Sequence, residues 1–116
     1  MSMDYTTKES NDVLIIDFQG KLIVGPEASE FHEFIKKQIE AGIKKILVDL
    51  GGVSFMNSSG ISVIIRALTS VRNAGGELYL CSSSDRIKML LSVTRLITVI
   101  NHFESRKEAL LAFEEL

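Results

Sequence analysis

Short apolar runs that alternate with segments of helical periodicity limit most strongly what this chain can fold into. Three runs of five or six residues are largely apolar, at residues 13–18, 45–50 and 77–81. Runs of this length and composition are typical of strands that are buried on both faces of a sheet. Because neighbouring parallel strands need a long crossover, usually a helix, the alternation predicts a mostly parallel sheet covered by helices.

Apolar residues at helical spacing predict four helices between and after these strands. The predicted helices cover residues 27–40, 58–73 and 84–92 and a last segment from Ser105 to the end of the chain. Pro26 marks the start of the first helix, where a missing N–H costs nothing. Gly51 and Gly52 predict that the second apolar run ends at Leu50 and that a loop leads on to the next helix.

The apolar stripes of the later helices indicate which of their residues face the core. The stripes comprise Ile61, Ile64, Ile65, Leu68 and Val71, then Ile87, Leu90 and Leu91, and finally Ala109, Ala112, Phe113 and Leu116. A polar edge strand at residues 3–10 and a further strand at 97–100 complete the expected sheet. The sequence predicts an α/β sandwich with a mixed, mostly parallel sheet of four to five strands and about four helices, filling residues 1–116 as a single domain.

The charge balance argues against nucleic acid as a partner. The chain of 116 residues carries 13 Lys and Arg against 15 Asp and Glu, a net charge of -2. It therefore has no excess of cations with which to replace the counterions of a phosphate backbone. The amino-terminal residues lack the pattern of a signal peptide, and no apolar run reaches the ~18 residues that cross a bilayer. We expect a cytoplasmic protein that is not inserted in a membrane.

Cysteine and acidic residues give no sign of a metal or cofactor site. The lone Cys81 can form no intramolecular disulfide and no structural zinc site by itself, which fits a reducing compartment. Asp49, Asp85 and Glu104 lie on separate segments without the spacing of a calcium loop. We expect neither a metal nor a cofactor.

Catalysis by a serine is also not expected. A nucleophilic Ser58 or Ser59 needs a neighbouring base, and only His32 and His102 could supply the usual one. Both lie far from the serines in sequence, and no Gly-x-Ser-x-Gly elbow or Gly-x-x-x-x-Gly-Lys phosphate loop is present. The sequence therefore predicts a protein that is not an enzyme.

The segment that leads from the second apolar run into the second helix is the most informative part of the chain. Ser58 lies at the expected start of that helix, where unpaired N–H groups and the helix dipole favour an anion. A phosphate there would add about -1.5 to -2 charges and could act as a switch. Spacing alone leaves a second interpretation open, in which Asn57 or Ser58 only caps the helix.

Five segments occur in an order typical of one protein family. They are residues 20–22 (Gly-Lys-Leu), 48–50 (Val-Asp-Leu), 53–61 (Val-Ser-Phe-Met-Asn-Ser-Ser-Gly-Ile), 72–76 (Arg-Asn-Ala-Gly-Gly) and 90–96 (Leu-Leu-Ser-Val-Thr-Arg-Leu). On these segments, and over nearly its full length, the chain resembles the STAS domain of bacterial anti-sigma factor antagonists. The resemblance implies a STAS-like sandwich.

The resemblance also implies a function for Ser58, which matches the family's phosphate acceptor. The donor is a partner anti-sigma factor that is also a serine kinase. The unphosphorylated form binds this partner and frees a sigma factor, and phosphorylation ends the binding. The docking surface is expected to include Met56, Asn57, Ser59, Gly60 and Ile61.

Ile23 and Val24 form an apolar loop that is expected near the same end of the sheet, where α/β proteins place their binding sites. They could contact a protein partner or complete the core beneath the loop.

The chain departs from the family in two places: Asn57 stands where many members have Asp, and no acidic residue follows residues 20–22. An alternative function is therefore a non-phosphorylated STAS scaffold, a subunit of a transport ATPase or of a signalling complex. The oligomeric state is left open.

Overall fold

The computed structural model describes residues 4–23, 25 and 27–116. Its sheet has five strands in the order β1-β2-β3-β4-β5, with β1 antiparallel to β2 and the other neighbours parallel. The strands are β1 (Asp4–Ser10), β2 (Val13–Leu22), β3 (Lys45–Met56), β4 (Glu77–Cys81) and β5 (His102–Phe103). The helices are α1 (Glu27–Glu40), α2 (Ser58–Asn73), α3 (Asp85–Val93) and α4 (Arg106–Phe113). The predicted α/β sandwich with a mostly parallel sheet is confirmed, while the predictions on residue 3, Val24 and Pro26 lie outside the described residues.

The sheet has a hydrophobic core on each face. In the central strand β3, Ile46, Val48 and Leu50 point into the larger core, which α1, α2 and α3 cover. Leu47 points into the smaller core, where it packs with Phe113 of α4. This two-residue alternation explains why the strands read as continuous apolar runs, since both of their faces are buried.

Strand β3 is longer than predicted and passes through Gly51 and Gly52 without ending. It pairs with β4 only as far as Asp49, opposite Cys81, but continues beside β2 until Met56 lies opposite Leu22. Two register shifts in this pairing accommodate the glycines, which in strands often mark irregular pairing. The prediction of a loop after Leu50 was wrong. The extra length of β2 and β3 forms a two-stranded extension beyond the end of β4.

The prediction of a strand at residues 97–100 was also wrong, because the short 3-10 helix Leu96–Thr98 extends into this segment. Arg95 adopts a left-handed conformation with φ of 63° and starts a turn in which the N–H groups of Thr98 and Val99 bond back to preceding carbonyls. The last strand follows later and is only two residues long. Hydrogen bonds within the turn thus take the place of the strand pairing that was expected for this segment.

Four residues assigned to the apolar stripes are not buried as expected. Ile65 of α2 is 41% exposed and Leu116, beyond the end of α4, is 65% exposed. Leu90 of α3 and Ala112 of α4 are only half-buried. The other core positions of α2, including Ile61 and Ile64, are buried as predicted.

Arg106, the first residue of α4, ties that helix to the sheet. Its Nε donates to Asp49 Oδ2 at 2.8 Å and its Nη2 donates to Asp17 Oδ2 at 3.0 Å. Asp17 and Asp49 are neighbours across β2 and β3, and Asp49 is 7% exposed. The hydrogen bond to Asp49 offsets the cost of burying its carboxylate, and the two bonds together hold α4 over the smaller core.

We predict that Arg106→Gln lowers the free energy of unfolding by about 1–3 kcal/mol, because it leaves the Asp49 carboxylate without its cation. Urea denaturation followed by circular dichroism measures the change. The control is Lys107→Gln, since Lys107 is the next residue of α4, is exposed and forms no salt bridge within the described residues. Equal stabilities of the two variants would contradict the role given to Arg106.

Candidate functional site

Asn57 connects the β2–β3 extension to α2 and caps that helix. Its backbone is extended, and its Oδ1 accepts hydrogen bonds from the N–H groups of Ser59 and Gly60, each at 3.1 Å. The same oxygen accepts a hydrogen bond from Ser59 Oγ at 2.6 Å. An N-cap side chain is worth about 1 kcal/mol to a helix. The capping function left open between Asn57 and Ser58 therefore belongs to Asn57.

Ser58 is the first residue of α2, and its side chain takes no part in the cap. The residue is exposed, and within the described part of the chain its hydroxyl group forms no hydrogen bond. Ser59 is half-buried, and its hydroxyl group is bonded to Asn57. Of the two adjacent serines, Ser58 thus offers the accessible hydroxyl group.

Gly60 allows the end of β2 to lie directly against the first turn of α2. A Cβ atom at this position would collide with the carbonyl oxygen of Leu22 and lie 2.9 Å from Cγ of Met56. Because Leu22 and Met56 are also paired across β2 and β3, both strand ends meet at this turn. The absence of a side chain at Gly60 thus brings the end of β2 against the first turn of α2.

The residues predicted to form the docking surface differ widely in exposure. Met56 and Ile61 are only 4% and 6% exposed, and Gly60 is buried as well. Asn57, Ser59 and Ile23 are half-buried, and Val24 lies outside the described residues. The structure brings these described residues together around the start of α2, and their contribution to partner binding stays a prediction.

Sequence reasoning missed an apolar groove that starts at the end of β3 and runs along α3. The groove, hereafter the α3 groove, has a volume of about 360 Å³. It is lined by Phe55, Met56, Arg86, Ile87, Met89, Leu90 and Val93. Its signal in the sequence is a second set of residues at helical spacing, Arg86, Met89, Leu90 and Val93. This set overlaps the core stripe, and so the exposed face of α3 was not recognised.

No carboxylate lies in the first turn of α2, so the positive end of the helix dipole is not neutralised there by an acidic side chain. The carboxylate of Asp49, in the preceding strand, is already paired with other groups. Its Oδ1 accepts the N–H of Gly51 at 2.8 Å, and its Oδ2 accepts the guanidinium group of Arg106. The start of α2 is therefore suited to accept added negative charge.

Neither histidine is arranged as a base for Ser58. His102 lies on β5, where its Nε2 is 2.9 Å from Ser83 Oγ, and burial lowers its pKa. His32 lies on α1, and its pKa is lowered by desolvation and by the nearby positive charge of Arg66. Each ring thus favours its neutral form near pH 7, but in the described part of the chain neither is hydrogen-bonded to Ser58.

The remaining candidate groups lack the surroundings of a reactive site. Cys81 is buried, and burial raises the pKa of its thiol to about 12, so the reactive thiolate is suppressed. Within residues 4–23, 25 and 27–116, no cluster of three or more His, Cys, Asp or Glu side chains could hold a metal ion. In the same ranges no helix is long and apolar enough to cross a membrane.

We predict that Gly60→Ala lowers the free energy of unfolding by about 1–3 kcal/mol, the usual cost of overpacking. The added methyl group must push the Leu22 backbone away from α2. Chemical denaturation measures the loss, and Thr69→Ala at an exposed position of the same helix provides the control. A Gly60→Ala variant as stable as this control would show that β2 and α2 do not need their close approach.

Comparison with known proteins identifies the family of this chain. A family model described as the STAS domain matches residues 4–109. The protein named "Putative anti-sigma factor antagonist BtrV", from Bordetella bronchiseptica, is 23% identical over 112 residues, which cover 97% of this chain and 96% of the relative. A second relative, "Putative anti-sigma factor antagonist TM1081 homolog" from Thermotoga neapolitana, is 35% identical over 80 residues, covering 69% of this chain and 67% of the relative.

Solved structures show the same fold. The crystal structure of TM1081 from Thermotoga maritima superposes with a TM-score of 0.84 at 25% identity and covers 93% of this chain and 92% of that one. The phosphorylated form of the Bacillus cell fate determinant SpoIIAA has a TM-score of 0.73 at 16% identity and covers 95% and 99% of the two chains. The order of elements, the matched segment and the structural similarity agree, and the chain belongs to the STAS domain family, with relatives named as anti-sigma factor antagonists.

Proposed function

We propose that this protein is an anti-sigma factor antagonist that is switched by phosphorylation of Ser58. In this proposal the unphosphorylated form binds an anti-sigma factor with serine kinase activity and thereby releases a sigma factor. The observation that carries the proposal is the exposed hydroxyl group of Ser58, which the cap leaves free because Asn57 supplies the capping oxygen. The names of the relatives support the general function. The cytoplasm, where transcription is regulated in bacteria, is the proposed location.

The choice of Ser58 over Ser59 follows from accessibility. A kinase must bring the hydroxyl oxygen of its substrate in line with a phosphoryl group, which requires an exposed side chain that can leave its own contacts. Ser59 would have to give up its 2.6 Å hydrogen bond to Asn57, and with it part of the cap. Ser58 loses no such contact within the described residues.

Phosphorylation would change what can dock at this end of the molecule. A phosphate adds about -1.5 to -2 charges at neutral pH, which is comparable to the whole chain's net charge of -2. The helix dipole stabilises this charge by about 0.3–1 kcal/mol, so the phosphorylated chain remains folded. A partner surface that fits the uncharged turn would have to bury the phosphate, and the proposed result is dissociation.

The other predicted docking residues have a shaping function in this proposal. The buried Met56, Gly60 and Ile61 fix the position of the turn, and the half-buried Asn57 and Ser59 present their exposed atoms to the partner. Ile23 and Val24 are proposed to extend the contact surface on the β2 side.

The test uses a purified anti-sigma factor kinase from the same organism, ATP and the full chain. We expect phosphate on Ser58 in the wild-type protein and in Ser59→Ala, and no incorporation in Ser58→Ala. Phosphopeptide mapping by mass spectrometry locates the modification. Phosphate on a different residue, or none in the wild-type chain beside an active kinase, would contradict the switch and favour the non-phosphorylated scaffold.

Binding to the same partner gives an independent prediction. Ser58→Ala should bind as tightly as the wild type in the presence of ATP and should stay bound, because it cannot be modified. Ser58→Glu should bind at least about tenfold more weakly, a difference of about 1.4 kcal/mol that reflects the buried negative charge. Ser62→Glu, one turn further along the exposed side of α2, controls for charge alone. Equal affinities of the two Glu variants would show that the effect is not specific to Ser58.

A further inference from the structure

The α3 groove combines apolar side chains that are unusually exposed for a folded domain. Met89 and Val93 are 69% and 74% exposed, one turn apart on the outer side of α3, and Phe55 across the groove is 38% exposed. Single exposed apolar residues are common, but several that line one depression mark a binding surface. The two methionines of the groove, Met56 and Met89, are flexible enough to pack against a ligand of variable shape.

Among the described residues that line the groove, Arg86 is the one with a charged side chain. It lies in the first turn of α3, where the helix dipole disfavours a positive charge. Within the part of the chain that the structure describes, Arg86 forms no salt bridge. Lys88, also in α3, differs in this respect, because it is paired with the Glu104 carboxylate at 2.6 Å. The groove therefore combines an apolar lining with a cation that pairs with no carboxylate of residues 4–23, 25 and 27–116.

We propose that the α3 groove binds an anionic amphiphile, a medium-chain fatty acid whose carboxylate pairs with Arg86 and whose alkyl chain lies between Phe55, Met89 and Val93. The volume of about 360 Å³ is at the small end of the range for ligand sites, which is about 300–1,000 Å³. A groove at the small end of this range suits a single alkyl chain better than a bulkier ligand.

Charge and lining together favour this ligand. A carboxylate has the charge opposite to that of the Arg86 guanidinium group and can accept two hydrogen bonds from it. The rest of the lining is apolar, so a ligand with a single polar end leaves no polar atom unsatisfied there. This binding site goes beyond the proposed switch at Ser58 and does not depend on it.

The test titrates decanoate, below its micelle concentration, into the full chain labelled with ¹³C at the methionine methyl groups. We expect saturable shifts of the Met56 and Met89 signals, assigned with Met56→Leu and Met89→Leu. Arg86→Gln should weaken decanoate binding by at least about tenfold, because the charged pairing with the carboxylate is lost, and should leave the binding of the neutral decanol unchanged. The matched control Arg66→Gln, at an exposed position of α2, should bind decanoate as the wild type does.

A second variant tests the alkyl part of the site. Met89→Asp should abolish decanoate binding while the far-ultraviolet circular dichroism is retained, because this side chain is largely exposed and its loss leaves no cavity. The proposal is overturned if decanoate leaves both methionine signals unmoved, or if Arg86→Gln binds it as well as the wild type. It is also overturned if the signals shift with protein concentration alone, which would identify a second copy as the occupant. Binding of an acidic amphipathic peptide that decanoate fails to displace would overturn it in favour of a protein partner.

Discussion

The close approach between Gly60 and the carbonyl of Leu22 is the contact on which the proposed site depends. It holds the first turn of α2 against the end of β2, while the pairing of Leu22 with Met56 holds β3 in the same place. Three elements thus meet within a few residues of Ser58. A side chain at Gly60 would separate them and would change the surface on which a partner must dock. The glycine therefore acts through geometry and need not touch the partner at all.

This contact is possible because β2 and β3 extend beyond the other strands. The pairing of β3 with β4 ends at Asp49, but β3 continues as far as Met56 with β2 as its neighbour. The extension places the start of α2 at the end of β3, where Met56 and Ile61 still belong to the larger core. Asn57 then ends the strand and caps the helix in one residue, so no flexible loop separates the site from the sheet. A turn built this way has a fixed shape before any partner binds, which reduces the entropy lost on docking.

The sequence predicted those parts of the fold that depend on local patterns. The bounds of α1 and α2 followed from helical spacing between strong breakers, such as Gly75 and Gly76 after Asn73. The continuation of β3 through Gly51 and Gly52 could not be predicted, because it depends on pairing with the distant strand β2. In the same way, the spacing of Asn57 and Ser58 fits either residue as the cap, and only backbone geometry assigns that function to Asn57.

The electrostatics of the sheet end explain how one phosphate could have a local effect. Asp49 is the acidic residue of the strand that leads to Ser58, but Arg106 of α4 pairs with its carboxylate, which also accepts a hydrogen bond from the N–H of Gly51. The first turn of α2 has no acidic residue, and Asn57 caps the helix through an uncharged amide. A phosphate on Ser58 would therefore be the dominant charge in its surroundings. Because Asn57 brings no charge of its own, a phosphate on Ser58 would be free of the like-charge repulsion that an aspartate at this position would exert.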